Sequence, residues 1–219
     1  MGQMAKPRVW GTRATLSALI LFTMLLTGGC RGGGGSSASG AEYTTLRGTE
    51  ALVWGEGNYG VVLAHGASYD AASWEPQAKE IAQNGMVAVA VEDTSGESVA
   101  TAAEYLKEKR TPRGVAFVGS SAGTSGVLEA AESHPELPDQ LIILSGTGDV
   151  SRLGVFPKLF VASEGEGLAE EAHRMAQESR GTQNEPLIVA GDAHAQAIFK
   201  TAEGKKLMDA MLQRLQRYQ

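Results

Sequence analysis

Six short runs of apolar residues recur along the chain after residue 60, at 61–64, 86–91, 115–118, 141–144, 159–162 and 187–190. A run this short that is apolar at every position predicts a strand covered on both faces, as in a parallel sheet packed between helices. Between the runs the spacing changes to that of helices. Residues 73–84 place Trp74, Ala78, Ile81 and Ala82 on one face and stop at Gly85. Residues 98–109 turn Val99, Ala102, Ala103 and Leu106 inward, and 122–133 end at His134-Pro135. A further helix is expected over 168–178. The last, 205–217, is amphipathic through Leu207, Met208, Met211, Leu212 and Leu215.

Every pair of consecutive runs but one is separated by a helix. That alternation predicts an α/β domain with a doubly wound, mostly parallel sheet and helices on both faces. Ahead of it, residues 43–46 and 51–54 read as a short hairpin broken by Gly48 and Gly55, and Gly57-Asn58 makes the next turn.

The first 41 residues read differently. Lys6, Arg8 and Arg13 precede 13 uncharged, mostly apolar residues, 14–26. This is short for a spanning helix, which needs about 20 residues, and suits the apolar core of a signal peptide over 1–29. Leu26-Thr27-Gly28-Gly29-Cys30 then resembles a bacterial lipobox, with leucine one place further from the cysteine than usual. The resemblance implies lipidation of Cys30, export and anchoring at the outer face of a bacterial membrane. Cys30 is the only cysteine, so no disulfide can form within the chain. The Gly/Ser-rich stretch up to residue 41 reads as a flexible tether, and 42–219 as the folded domain. From Cys30 onward, 16 basic residues face 25 acidic ones, a net charge of −9. That balance argues against nucleic-acid or polyanion partners.

Charge alters the list of partners; the stretch around residue 120 suggests the chemistry. The run 115–118 leads into Gly119-Ser120-Ser121-Ala122-Gly123, and a helical pattern follows directly. Strand, sharp turn and helix push the central serine out on a strained loop, under the free N–H groups of a helix start. In a doubly wound sheet the chemistry gathers at the carboxyl ends of the strands. There the sequence places His65-Gly66-Ala67-Ser68 after the first run and Ser145-Gly146-Thr147-Gly148-Asp149 after the fourth. Ser163-Glu164-Gly165-Glu166-Gly167 follows the fifth run and Gly191-Asp192-Ala193-His194 the last.

This set of residues resembles the α/β-hydrolase superfamily, in particular small single-domain esterases of the dienelactone-hydrolase kind, over about residues 53–215. The resemblance implies Ser121 as nucleophile and His194 as general base and acid. A carboxylate is needed to hold the imidazole, and Glu166, Asp149 and Glu164 are the candidates, with Glu166 nearest the usual position. Backbone N–H groups of Ala67 and Ala122 are the implied oxyanion hole. His65 is expected to brace that loop. The implied activity is cleavage of small-molecule or lipid carboxylic esters through an acyl-enzyme. The same triad can also pass the acyl group to an alcohol or amine, as an envelope acyltransferase, and a non-catalytic binding lipoprotein is the third reading. Only 14 residues, 145–158, separate the fourth run from the fifth, too few for a cap domain. The pocket walls must then come from flanking loops, with Tyr69, Trp74, Leu153 and Phe156 as candidate substrate contacts; Trp74 reads equally well as core. No metal-ligand spacing, P-loop lysine or dinucleotide fingerprint occurs, so neither metal nor cofactor is expected.

Overall fold

The computed structural model describes Gly2 and residues 40–219. The expected signal peptide, Cys30 and nearly all of the tether lie outside the described residues. Ala41, assigned to the tether by composition, is instead buried in the core.

Strands β1 (Glu42–Leu46) and β2 (Thr49–Trp54) form an antiparallel hairpin. Its turn, Arg47-Gly48, has positive φ at both residues, the conformation whose twist matches a tight hairpin. The chain then alternates. β3 (Gly60–Ala64) is followed by a short 3₁₀ turn, Ala71–Trp74, and α1 (Glu75–Gln83); β4 (Val87–Val91) by α2 (Gly96–Tyr105); and β5 (Val115–Ser120) by α3 (Gly123–Ser133). β6 (Gln140–Leu144) and β7 (Lys158–Ser163) have no helix between them. α4 (Ala169–Glu178), β8 (Asn184–Val189) and α5 (Gly204–Arg217) complete the order. The eight strands form one sheet in the order β1-β2-β4-β3-β5-β6-β7-β8, parallel from β4 through β8.

Strand alternation divides the core into two layers. Val61, Leu63, Ala116, Val118, Ile142 and Leu144 meet Trp74 and Ile81 beside α1 and Leu207, Met211 and Leu215 of α5. Val62, Ala64, Val115, Phe117, Leu141 and Ile143 meet Val99 and Ala103 of α2, Val127 and Ala131 of α3 and Met175 of α4. Two local details depart from the apolar pattern. The helix expected over 98–109 starts two residues earlier, where Ser95 accepts the Ser98 N–H, and loosens into a π turn at Leu106–Arg110. β8 is half exposed, because it is the edge strand.

The direction of winding locates a crevice. From β3 the chain moves to one side, to β4; from β5 it moves to the other, to β6. The loops leaving β3 and β5 therefore diverge above two adjacent strands, which is where doubly wound sheets bind their ligands.

At the opposite end of the sheet Lys158 is fully buried on β7. Its Nζ donates to the carbonyls of Gly154, Phe156 and Arg180 at 2.7, 2.8 and 2.9 Å. Burial, with the nearby charges of Arg180 and Arg214, pushes its ammonium down to about 8. Arg214 of α5 in turn donates to the Lys158 and Gln183 carbonyls. Each of the three ammonium protons thus has an acceptor, which makes a buried cation tolerable. Lys158→Met should strand those carbonyls and cost about 3 kcal/mol, seen as a fall in Tm of roughly 6–12 °C. An unchanged Tm in thermal denaturation would show that these bonds contribute nothing net.

Candidate active site

The loop from β5 into α3 explains why Ser121 stands where it does. Its backbone is left-handed, with φ +48°, a conformation rare for a residue with a side chain. Two close approaches impose it. A Cβ on Gly123 would lie 2.5 Å from the His65 carbonyl oxygen and 2.6 Å from that of Ala64. One on Gly119 would lie 3.0 Å from the Thr124 Cα. The first turn of α3 therefore sits directly on the end of β3, and the chain must double back sharply at Ser121. The Ser121 N–H is tied to the Leu144 carbonyl at the end of β6.

The structure brings Ser121, His194 and Glu166 into one chain of hydrogen bonds. Ser121 Oγ lies 2.7 Å from His194 Nε2. His194 Nδ1 lies 2.6 Å from Glu166 Oε2. A carboxylate only accepts, so Nδ1 carries the proton and Nε2 is left free to accept from the serine hydroxyl. The Glu166 side chain is 3% exposed and that of His194 50%. The acid is held dry, while the imidazole is open to an incoming molecule.

Glu166 reaches this position through two residues that the sequence did not single out. Its Oε1 accepts from Ser145 Oγ at 2.7 Å and from the Ser163 N–H at 2.6 Å. Ser145 Oγ also accepts the Ala195 N–H at 2.8 Å, beside His194. Ser163 Oγ donates to the Ala193 carbonyl on the other side of it. These serines bind the acid and both flanks of the histidine loop into one unit. Ser145 and Ala195, like Ser121, have left-handed backbones, with φ +49° and +54°. Their only sequence signal is position: each serine is the first polar residue beyond an apolar strand.

The other two candidate acids are elsewhere. Asp149 is exposed and accepts the Ser151 N–H at 2.9 Å, which holds its carboxyl below the ordinary range. Glu164 is exposed, and its backbone N–H pairs with the Val189 carbonyl. The expected oxyanion donors, Ala67 and Ala122, are both exposed, one after β3 and one at the start of α3. Neither N–H is taken by an acceptor within the described residues. His65, expected to brace this loop, has Nδ1 2.9 Å from the Gly66 carbonyl and Nε2 3.0 Å from that of Glu92.

Leu153 and Phe156, expected as substrate contacts, lie elsewhere, and of the two readings of Trp74 the core one holds. Trp74 is fully buried and packs edge-on against Phe199 in the core. Leu153 is 1% exposed in the opposite layer. Phe156 lies under the Lys158 ammonium at the amino ends of the strands, away from Ser121. The reason is directional: residues 145–157 carry the chain from the carboxyl end of β6 back to the amino end of β7, so only their start borders the crevice. Tyr69 does stand at the site; a Cβ on Gly66 would come 3.3 Å from Ser121 Cβ and 3.7 Å from the Tyr69 ring. Residues 145–157 contain no helix or strand, so no cap domain is inserted there.

No protein-family model and no curated protein sequence matches this chain. Solved structures do. A dienelactone hydrolase from Anabaena variabilis superposes with a TM-score of 0.68 at 13% identity, over 81% of this chain and 96% of that one. A monoacylglycerol lipase from Paleococcus ferrophilus gives 0.67 at 13% identity, over 77% and 98%. An esterase from Exiguobacterium antarcticum gives 0.61 at 11% identity, over 80% and 98%. With the strand order and the sharp turn at Ser121, these likenesses establish that the chain has the α/β-hydrolase fold.

Proposed function

We propose that this domain is a serine hydrolase of carboxylic esters, exported and held by a lipid on Cys30 at the outer face of a bacterial membrane. The observation that carries the enzymatic part is the hydrogen-bond chain Ser121–His194–Glu166, ending on a serine in a left-handed backbone. The presence of an esterase and a lipase among the similar folds supports the same reaction. The anchor rests on the sequence preceding residue 41.

In the proposed reaction Ser121 Oγ attacks the ester carbonyl carbon while its proton passes to His194 Nε2. Glu166 steadies the resulting imidazolium and keeps its tautomer. The carbonyl oxygen becomes an anion and is met by the Ala67 and Ala122 N–H groups, which are positioned before the charge appears. The C–O bond to the alcohol breaks as His194 returns its proton to the leaving oxygen, and an acyl-serine remains. Water, deprotonated by His194 in its turn, attacks that ester and releases the acid and free Ser121. The half exposure of His194 leaves room for both alcohol and water.

The rim of the site bears on the acyl group. Ala67, Ser68, Ala122 and Ser125 are exposed around the nucleophile. Among the described residues the large hydrophobic side chains that stand exposed are Tyr43, at 56%, and Val155, at 66%. Tyr43 is on the outermost strand, and Val155 precedes β7 at the far end of the sheet. Burying a methylene contributes about 0.8 kcal/mol, and the partly exposed Tyr69 ring beside Ser121 is of a size to cover a short acyl group rather than a long chain.

Three outcomes are expected. A fluorophosphonate probe should label the purified wild-type domain and leave Ser121→Ala, equally folded, unlabelled and inactive on p-nitrophenyl acetate. Residual labelling in that variant would remove Ser121 from the role of nucleophile. Glu166→Gln should lower kcat on the order of 10⁴-fold; if Asp149→Asn does so and Glu166→Gln does not, the acid is misassigned. Across p-nitrophenyl esters, kcat/KM should fall from butyrate to octanoate; a rise of tenfold or more, the order expected for two buried methylenes, would reveal an apolar acyl channel.

A further inference from the structure

We propose that Gln196 is a positioning residue for the oxyanion hole: it ties the loop that carries His194 to the loop that carries the Ala67 donor. The role goes beyond the hydrolase reading above and rests on it.

Gln196 lies two residues past His194 and is 4% exposed. Both ends of its amide are used. Oε1 accepts the Gly66 N–H at 3.0 Å, across 130 residues of sequence. Nε2 donates to Ser73 Oγ at 2.9 Å. Ser73 in turn belongs to the Asp70 cap of the 3₁₀ turn that leads into α1. The side chain therefore bridges the loops after β8 and β3 and the entry to the first helix.

The need for such a bridge follows from Gly66. The Ala67 N–H belongs to the peptide group that joins Gly66 to Ala67, so its direction is set by the Gly66 backbone. A Cβ at 66 would come 3.3 Å from Ser121 Cβ, tighter than an ordinary contact, and 3.5 Å from the Ser120 carbonyl. Glycine is also the residue with the greatest backbone freedom. The most mobile type of residue thus stands directly before a proposed donor, and its orientation must be fixed from outside. The Gly66 carbonyl accepts the Tyr69 N–H and lies 2.9 Å from His65 Nδ1. Its N–H is held by Gln196. With both polar groups pinned, the Gly66–Ala67 peptide has one orientation.

A glutamine suits the task. The Gly66 N–H is buried, and leaving it unpaired would carry the penalty of an unsatisfied donor. An amide supplies the acceptor without bringing a charge into a dry site, and its second end anchors it to Ser73. Since Ala195, between His194 and Gln196, is held by Ser145, base and oxyanion donor hang from one connected hydrogen-bond network.

The test uses Gln196→Met, which keeps the shape and loses both bonds. Rates are referred to sites titrated with fluorophosphonate, and Tm is recorded for each protein. Q196M should lose on the order of 10- to 100-fold in kcat, somewhat less than deletion of a donor, with KM within about threefold. Its affinity for a trifluoromethyl ketone, whose adduct carries the oxyanion, should fall by the same factor. The acid limb of its pH profile should not move, because His194 and Glu166 are untouched. A wild-type kcat per titrated site in Q196M, an unchanged affinity for the trifluoromethyl ketone, or a shifted acid limb would each overturn the positioning role while leaving the hydrolase reading intact. A folded wild type that neither labels nor turns over would overturn both.

Discussion

Two backbones meeting at van der Waals limits organise this site: the first turn of α3 against the end of β3. The contact leaves no space for a Cβ at Gly123. It is made possible by the register of the sheet, in which Ala64 pairs with Gly119, so that β3 and β5 end side by side. Once α3 must start there, the residues between Gly119 and Gly123 can connect strand to helix only through a sharp turn. Ser121 then takes a left-handed conformation that costs of order 1–3 kcal/mol in isolation. The two core layers around Phe117 and Val118 hold the strand, Val127 and Ala131 hold the helix, and the strain falls on the residue between. The same contact puts Ala67 and Ala122, the donors of the proposed mechanism, on either side of the serine.

A second constraint concerns the buried carboxylate. An ionised group taken out of water loses several kcal/mol of solvation unless polar partners replace it. Glu166 has three: Ser145 Oγ, the Ser163 N–H and the His194 ring. Two of them occupy Oε1, which leaves Oε2 to the histidine alone and fixes its direction. The length of the glutamate side chain is accommodated by two serines that grip its far oxygen. Ser145 is held at φ +49° to do so. The left-handed residues 121, 145 and 195 all stand on this network, where strain is stored against a rigid surround.

Much of this was legible in the sequence because it depends on short-range patterns. The apolar runs marked the parallel strands through their burial on both faces, and the Gly-x-Ser-x-Gly stretch marked the turn through the two close approaches that demand glycine. Glu166 was distinguishable from Asp149 by the strand it follows. What was not legible depends on direction and on distance along the chain. Leu153 and Phe156 were placed at the site because they fall in a loop that starts there, but a connection between parallel strands must return to the opposite end of the sheet. Trp74 has the spacing of a helix face, and periodicity alone does not say which neighbour that face meets. Gln196 carries no pattern at all. Its contacts lie 130 and 123 residues away, and only the folded chain brings Gly66 and Ser73 to it.

The unequal burial of the acid and the histidine bears on how the proposed reaction would work without a lid. Enclosed sites strengthen electrostatics by excluding water around every group. Here the exclusion is partial: Glu166 is dry and His194 is half in solvent. The imidazolium formed when Ser121 gives up its proton would be stabilised from the Nδ1 side by a carboxylate in a poorly screened environment. Its Nε2 side stays open, where the leaving alcohol must pick up a proton and water must later give one up. A lid would add screening from solvent but would also have to open for each exchange. Placing the dry contact behind the histidine, and fixing the donors in front through the Gly66 loop, gives preorganisation where charge develops while leaving the approach to Ser121 clear.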